Sequence, residues 1–270
     1  VGWQCDNETY ILPIVGEVRN SYQVTKEGKP TEYILQQKGS ISRELHKKGT
    51  LKEWQRTVGA VTRGNHLHTF SMLAALTAPI LKLLNEEGGF FHYVGSTSIG
   101  KSTIMRVALS VWGDKEMGTF KATDNNLEGV CKISNDGAMF LDEMGECEAD
   151  ALSRIVYMVA NGVTKGRADR NGNPRPVTHF TVLAQSTGEM GIEAKLAEKR
   201  IEAKGGQLLR MGELDADRGK GLNTFDVLNI NPDSGKKFED GKAQAEYLKV
   251  HAEKNCGLVI DEFMKELVKD

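Results

Sequence analysis

Apolar residues recur along most of the chain with two spacings that alternate. Short apolar runs, typical of buried strands, lie at Phe90–Val94, Gly137–Glu143 and Phe180–Gln185. Between these runs the apolar residues recur every three or four positions, as at Thr103–Trp112 and Glu148–Asn161, which predicts helices with one buried face. Because strands alternate with helices, we predict an α/β core built on a parallel sheet.

The first fifty residues have a different pattern from the rest of the chain. Two segments, Tyr10–Val15 and Tyr33–Gln36, partly alternate apolar and polar residues, and turn residues separate them. This pattern predicts two or three strands in a small N-terminal subdomain over residues 1–50. Residues 51–270 are then predicted to form the α/β core with its C-terminal helices. Since the chain opens at Val1 on sequence typical of the middle of a protein, we interpret it as an excerpt of a longer polypeptide.

Further elements are predicted on both sides of the three core strands. Thr50 is a suitable N-cap for the first of the flanking helices. Pro79 predicts a bend or break inside the second. The flanking predictions are helices over Leu51–Val61, His66–Leu84, Leu127–Lys132 and Ile192–Glu202, a strand-like run over Gln207–Met211, and helices near Gly241–Lys254 and Leu258–Val268.

The segment between the first core strand and its helix matches a phosphate-binding loop. Gly95–Ser102 fits the pattern G-x-x-x-x-G-K-[ST] at every fixed position, with a strand before it and a helix after it. Backbone N–H groups of such a loop face phosphate oxygens, Lys101 reaches the outer phosphates, and the Ser102 hydroxyl binds Mg²⁺. A glycine-rich turn that matches by chance is the alternative, and the flanking strand and helix disfavour it. The residues predicted to bind ATP are Gly95, Ser96, Thr97, Ser98, Ile99, Gly100, Lys101, Ser102 and Thr103.

Two carboxylates end the second core strand. Asp142 and Glu143 have the form of a Walker B pair, in which the aspartate holds Mg²⁺ and the glutamate polarises the attacking water. An exposed helix cap is the alternative, but the position after a phosphate-binding loop favours the functional interpretation. A glutamate beside the aspartate also favours hydrolysis over transfer of the phosphoryl group, so a small-molecule kinase is disfavoured.

Three other features have a functional and a structural interpretation. Ser186 and Thr187 end the third core strand, where a polar residue can sense the γ-phosphate, although Ser-Thr is also a common turn. Arg210 is either an edge residue reaching solvent or a charge for a neighbouring subunit's phosphate. Residues 162–176 predict a polar hairpin that turns at Asn171-Gly172. Its basic residues, which fit a solvated turn or a nucleic-acid contact, are Lys165, Arg167, Arg170 and Arg175.

Composition limits the remaining function classes. The 270 residues carry a formal net charge of −2, so any contact with nucleic acid must come from a local basic patch. Cys5, Cys131, Cys147 and Cys256 form no C-x-x-C pair, which predicts a reducing compartment and no zinc site. The apolar run Phe70–Leu84 is too short and too interrupted for a membrane span. We therefore expect a cytoplasmic protein that makes no membrane contact.

The ordered set of motifs resembles the bacterial and phage domain-of-unknown-function family nine-twenty-seven. The set is G-S-T-S-I-G-K-S, S-V-W-G, L-E-G-V, M-F-L-D-E-M, Y-M-V-A-N-G-V-T-K-G-R, S-T-G-E and G-G-Q-L-L-R, within a match from Gly2 to about Phe225. Members look like MCM-type AAA+ ATPases, and some occur in replicative helicases of mobile genetic elements. The resemblance implies a P-loop NTPase of the AAA+ type, with a parallel sheet flanked by helices.

The resemblance also implies an assembly and a substrate. We expect a homo-oligomeric ring, taken to be hexameric, that couples ATP hydrolysis to movement on single-stranded or forked DNA. In MCM-like proteins a hairpin ahead of the sensor strand enters the central channel, and residues 162–175 fall at that position. Lys165 and Arg167 would then contact the phosphate backbone of a single strand.

Two more residues acquire roles through the resemblance. Arg210 resembles the trans-acting arginine finger, and Thr187 lies where MCM-like proteins carry a sensor asparagine, so the chain departs from the family's pattern there. No second sensor arginine is evident, because Arg218 is the only arginine after Arg210 and lies in a predicted loop.

Two functions of different classes stay open. The first is a DNA-stimulated ATPase motor, a helicase, which both Walker motifs and the hairpin favour. The second is a nucleotide-switched loader or scaffold that binds ATP and a partner without unwinding, which the near-neutral charge allows. A kinase would need an acceptor pocket and lid that the sequence does not indicate.

Overall fold

The computed structural model describes residues 2–4, 9–12, 22–25, 45–113, 116–121, 124–164 and 177–268. The strands are β1 (Gly2–Trp3), β2 (Thr9–Leu12), β3 (Tyr22–Thr25), β4 (Gly89–Val94), β5 (Gly118–Thr119), β6 (Gly137–Asp142), β7 (Val182–Gly188) and β8 (Met211–Asp215). The helices are α1 (Leu51–Trp54), α2 (Ala60–Thr62), α3 (His66–Leu84), α4 (Lys101–Trp112), α5 (Asp124–Ile133), α6 (Ala149–Asn161), α7 (Ile192–Ala197), α8 (Gly205–Arg210), α9 (Gly241–Lys254) and α10 (Val259–Leu267).

A five-stranded parallel sheet forms the centre of the fold, as the alternating pattern predicted. Its strand order is β5-β6-β7-β4-β8, so β4 lies between β7 and β8, and β7 separates β4 from β6. All seven residues of β7 are buried, including the polar Gln185, Ser186 and Thr187, so both faces of this strand are covered and its apolar residues need not alternate with polar ones. Because the strands are parallel, the carboxyl ends of β4, β6 and β7 meet at one edge of the sheet.

Helix α3 continues through Pro79, where the sequence predicted a bend or break. A proline has no N–H, so the Ala75 carbonyl four residues earlier loses its helical partner. The indole Nε1 of Trp112 supplies that missing donor at 2.9 Å from the Ala75 oxygen. A side chain from α4 therefore replaces the lost hydrogen bond and keeps the helix intact.

The same helix is long and apolar enough to cross a membrane by composition, and among the described residues it alone passes that test. Its buried face is lined by small residues, including Ala74, Ala75 and Ala78, which allow close packing against α4 and the sheet. In this fold α3 is a core helix of the α/β domain.

The helix predicted over Leu51–Val61 contains a π-helical segment, Gln55–Gly59, between α1 and α2. Thr50 is its N-cap as predicted, since the Thr50 side chain accepts a hydrogen bond from the Glu53 N–H at 3.2 Å. The predicted C-cap of α6 is also present, with Gly162 in the left-handed region at φ 62°.

Three predicted elements of the second half differ from the structure. The third core strand begins later than expected and extends over Ser186 and Thr187, and α7 ends at Ala197 instead of Glu202. The run over Gln207–Met211 is helical up to Arg210, and the strand starts only at Met211, so the strand prediction was wrong there. The Gln207 Oε1 caps this helix by accepting from the Lys204 N–H at 2.8 Å.

The first strands pack onto the core. Strands β1, β2 and β3 form an antiparallel sheet, whereas the predicted strand over Tyr33–Gln36 lies outside the described residues. Trp3 donates its indole N–H to the Pro79 carbonyl at 2.7 Å. The hydroxyl of Tyr10 donates to the Asp136 carbonyl, also at 2.7 Å. Both rings belong to the same apolar cluster as α3 and α4.

Candidate nucleotide-binding site

The predicted phosphate-binding loop connects β4 to α4 at the carboxyl edge of the sheet. Gly100 precedes the helix with φ 100°, a left-handed backbone that a side chain rarely adopts, and a Cβ there would lie 3.2 Å from the Thr224 hydroxyl. Helix α4 begins directly at Lys101. Its first turn therefore presents unpaired backbone N–H groups and a partial positive charge to the loop, the arrangement that attracts phosphate.

Lys101 lies within this loop and is 9% exposed. Its Nζ donates hydrogen bonds to the carbonyl oxygens of Gly95 and Ser96, both at 2.8 Å. The loop itself therefore holds the ammonium group beside the backbone that would receive a phosphate chain.

The first turn of α4 and the carboxyl ends of β6 and β7 bring Ser102, Asp142 and Thr187 together. The Ser102 hydroxyl lies 3.5 Å from the Asp142 Oδ2, the proximity that the two motifs predicted. On its other side Asp142 accepts a short hydrogen bond from the Thr187 hydroxyl. The three side chains come from α4, β6 and β7, so the fold assembles this cluster from distant parts of the sequence.

Ser102 and Asp142 fit a Mg²⁺ ion chemically, because both offer the hard oxygen ligands that this ion prefers. Among the described residues no group of three or more His, Cys, Asp or Glu side chains could hold a metal ion by itself. A magnesium ion would therefore share its coordination between these two residues, substrate phosphates and water.

Glu143 follows Asp142 with an exposed side chain and an unusual backbone. Its φ of 58° and ψ of 62° lie in the left-handed region, which costs a non-glycine residue roughly 1–2 kcal/mol. The Glu143 N–H donates to Asp142 Oδ1 at 3.1 Å and lies 3.4 Å from the Thr187 hydroxyl oxygen. The buried Met144 follows directly. The turn therefore leaves the glutamate carboxyl open to solvent while its main chain is held.

His92 is a buried residue beside the site that the sequence analysis missed. It lies on β4 and is fully buried; its Nδ1 is 2.8 Å from the Ser186 hydroxyl and its Nε2 is 3.0 Å from the Met190 carbonyl. Burial lowers the pKa of His92 to about 4, and the positive charge of Lys101 acts in the same direction. The imidazole is neutral at neutral pH, and Nε2 carries the proton because a carbonyl can only accept.

The side chains of Ser186 and Thr187 lie on opposite faces of β7, because successive side chains of a strand point to alternate faces of the sheet. Thr187 contacts Asp142, and Ser186 contacts His92. The next residue, Gly188, packs directly against the His92 ring. A side chain at this position would clash, because a Cβ on Gly188 would lie 2.9 Å from the His92 Cε1. The one available signal for His92 was a polar residue inside the apolar run Phe90–Val94.

Glu189 is a second residue that the analysis did not assign. Its carboxylate accepts a short hydrogen bond from the hydroxyl of Thr97, inside the phosphate-binding loop. The motif S-T-G-E contained this residue, but only the fold shows that the segment after β7 touches the loop.

Arg210 is the last residue of α8 and makes no described contact with the Ser102, Asp142 and Thr187 cluster. Its Nη1 donates to the Gly206 carbonyl at 3.0 Å, and its Cζ lies 5.4 Å from the centroid of the Tyr157 ring. The buried Nε has no hydrogen-bond partner. The guanidinium is therefore held by a carbonyl and an aromatic face, with no carboxylate among its described partners.

Arg218 lies in the loop after β8, as predicted, and binds a buried carboxylate. Its Nε donates to Asp226 at 3.0 Å, and the His66 N–H donates to the same carboxyl at 2.8 Å. Burial opposes ionisation of Asp226, but the hydrogen bonds from His66 and Arg218 outweigh it and lower the pKa of Asp226 to about 2. This ion pair fixes the loop whose Thr224 lies against Gly100.

The predicted basic hairpin is described only at its base. Val163 and His179 form an antiparallel bridge, and the Thr164 N–H donates to the Thr178 carbonyl at 3.0 Å. The two chain segments are therefore paired where a hairpin would leave the domain. The four predicted nucleic-acid contacts, Lys165, Arg167, Arg170 and Arg175, lie outside the described residues.

A parallel sheet with a phosphate-binding loop after β4, and a carboxylate pair at the end of β6 two strands away, has the α/β fold of a P-loop NTPase. The chain belongs to the family described as Domain of unknown function (DUF927), whose sequence profile matches residues 1–179. This confirms the resemblance, although the matched region ends before Phe225, the limit that the motifs suggested. No curated protein matches the sequence.

A solved helicase structure shares this fold. The structure titled "SCCmec type IV Cch - active helicase" matches with a TM-score of 0.55 and 20% identity over 85% of this chain. This chain spans 41% of the length of that helicase. NtrX from Brucella abortus in complex with ATP matches with a TM-score of 0.34 and 14% identity, over 65% of this chain and 38% of that one. The likeness to the helicase supports the α/β fold class.

Proposed function

We propose that this chain is the ATP-hydrolysing motor domain of a protein that moves on DNA, a replicative-type helicase of the MCM-like kind. The observation that carries the proposal is that the side chains of Ser102, Asp142 and Thr187 lie next to one another at the end of the Gly95–Ser102 loop. A loop, a metal-binding pair and an adjacent glutamate are the parts that ATP hydrolysis requires.

Binding of the triphosphate follows from the loop. Backbone N–H groups of the loop and the first turn of α4 would donate to phosphate oxygens. Lys101 would exchange the carbonyls of Gly95 and Ser96 for the outer phosphates, which offer a charged acceptor in place of a neutral one. A bound Mg²⁺ on Ser102 and Asp142 would neutralise phosphate charge.

Hydrolysis requires a base beside the water that attacks. The Glu143 carboxylate would accept a proton from this water as the water oxygen bonds to the γ-phosphorus. The bond from that phosphorus to the bridging oxygen then breaks, and ADP and inorganic phosphate result. Thr187 fixes Asp142 and lies beside the Glu143 N–H, so it would position both carboxylates.

A ring of identical subunits, which we take to be hexameric, would complete the site. Arg210 has no carboxylate among its described partners. An arginine finger that contacts the γ-phosphate bound by a neighbouring subunit must be free of such a partner. Its contacts with Gly206 and Tyr157 keep it ordered on one face of the subunit. We propose that Arg210 reaches the phosphates bound by the next subunit.

The DNA contact is assigned to the hairpin above Val163 and His179. Its position before β7 and its four basic residues support this assignment, because Lys and Arg that face a channel bind phosphates without regard to sequence. The helicase with the similar fold is titled an active helicase, which favours the motor over the loader. A loader or scaffold would share the ATP site but would not unwind.

Strand displacement by the full-length protein separates these functions. A motor displaces a strand from forked DNA when ATP is present, whereas a loader hydrolyses ATP and leaves the fork intact.

Lys165→Ala and Arg167→Ala should each reduce the slope of log K against log salt for single-stranded DNA by about 0.7. Exposed Lys254→Ala, far along the chain on α9, is the matched control. A wild-type slope in the alanine variants of all four basic residues, Lys165, Arg167, Arg170 and Arg175, would contradict the DNA assignment.

A further inference from the structure

Lys195 is a buried lysine outside every motif that the sequence indicated. It lies on α7, is 7% exposed, and donates from Nζ to the Gly145 carbonyl at 2.7 Å. Glu198 is its ion-pair partner at 2.8 Å. Removing a lysine ammonium from water is costly. Its partner Glu198 has a side chain that is 46% exposed, so solvent screens the pair and the pair contributes little stability in return. Stability therefore gives little reason for a lysine here.

The carbonyl that Lys195 binds belongs to the turn that carries Glu143. Gly145 is the middle residue of a 3₁₀ turn, Met144–Glu146, and Glu143 is the residue that caps this turn. The Glu143 N–H is held from one side, by Asp142 and Thr187. Lys195 holds the chain two residues later. The left-handed backbone of Glu143 is thus restrained on both sides.

Helix α7 is a rigid support for this lysine. Its first residue, Ile192, donates its N–H to the Glu213 carboxylate on β8 through a short hydrogen bond. A Cβ on Gly191 would lie 2.2 Å from the same carboxylate, so the chain approaches Glu213 as closely as glycine allows. Ile192 and Leu196 are fully buried. The Lys195 ammonium is therefore fixed relative to the sheet.

We propose that Lys195 is a positioning residue for Glu143, and this proposal rests on the ATPase function proposed above. A hydrogen bond from an ammonium is about twice as strong as a neutral one, so it restrains the turn more than a water could. Without it the left-handed turn relaxes and the Glu143 carboxylate shifts from its water. A shift of about 1 Å in a catalytic group costs up to roughly 10²-fold in rate.

The test is the Lys195→Met variant, which removes the ammonium and keeps the aliphatic chain. We expect kcat for ATP to fall by about 10- to 100-fold, with an unchanged KM and an unchanged affinity for a non-hydrolysable ATP analogue. The melting temperature should stay at or above that of the wild type. Lys195→Arg, which retains a charged donor, should recover part of the rate. The control is Lys199→Met, an exposed lysine paired with Glu148 and Asp150, which should leave kcat unchanged.

A double-mutant cycle shows whether Lys195 acts through Glu143. In the Glu143→Gln background, Lys195→Met should lower kcat no further, because the group it positions is already absent. Lys195→Gln replaces the methionine variant if that variant does not fold. A folded variant with wild-type kcat, or a rate loss that merely follows a fall in melting temperature, overturns the proposal. A wild-type protein without ATPase activity would overturn the proposed function itself.

Discussion

Glu143→Gln will bind ATP as the wild type does and lose its turnover. The amide has the shape of the carboxylate but cannot take the proton of the attacking water, and loss of a general base costs about 10²- to 10⁴-fold. Binding is retained because the loop, Lys101 and Asp142 are untouched. Steady-state phosphate release measures the rate, and titration with a non-hydrolysable analogue measures the affinity.

Glu146→Gln is the matched control for this variant. Glu146 is also exposed, lies in the turn that follows Glu143, and forms an ion pair with Lys121. Surface ion pairs contribute little, about 0–1 kcal/mol, so its removal should leave the rate near that of the wild type. Hydrolysis at the wild-type rate by Glu143→Gln would remove Glu143 from the mechanism.

Arg210→Ala will reduce ATP turnover of the assembled protein by about 10³-fold, the loss typical of a missing arginine finger. The defect should be rescued in part by mixing with Lys101→Ala subunits. The alanine variant of Arg210 offers an intact loop, and the Lys101→Ala subunit offers the arginine that its neighbour lacks. Turnover of the mixture above the sum of the two separate proteins is therefore expected.

The control for Arg210 is Arg154→Ala, an exposed arginine on the adjacent helix α6. It should retain wild-type turnover both alone and in mixtures. Because Arg210 also contacts Tyr157, the melting temperatures of both variants are compared before rates are assigned. A mixture as inactive as its parents would show that Arg210 does not act between subunits.

The candidate nucleotide site could be predicted where its parts are continuous in sequence. The loop needs only neighbouring residues, Gly95–Ser102, and a short apolar strand that ends in carboxylates is equally local. Their meeting, Ser102 beside Asp142, followed from a rule of parallel sheets, because the carboxyl ends of the strands share one edge. The structure has this contact at 3.5 Å.

Other features depended on contacts that no local pattern encodes. Helix α3 survives Pro79 because Trp112, distant in sequence, donates to the unpaired carbonyl of Ala75. His92 and Lys195 appeared as a polar residue in a strand and a charge in a helix, and only the fold brings them to the site.

Helix α8 was predicted as a strand for a different reason. A short apolar run has no periodicity that distinguishes a helix from a strand. Leu209 in this run is 88% exposed, so its apolar character did not indicate burial in the sheet. The first turn of the helix is instead stabilised by the Gln207 side chain, which accepts a hydrogen bond from the Lys204 N–H.

The central claim is that backbone amides beside Lys101 bind a nucleoside triphosphate, and equilibrium binding of ATP with Mg²⁺ tests it most directly. Titration calorimetry would compare the folded wild-type protein with Lys101→Ala. The account predicts saturable binding to the wild type with a Kd below about 1 mM, equivalent to roughly 4 kcal/mol, and no detectable binding to the variant. Folded wild-type protein that binds no nucleotide at millimolar concentration, or equal binding by both proteins, would contradict it.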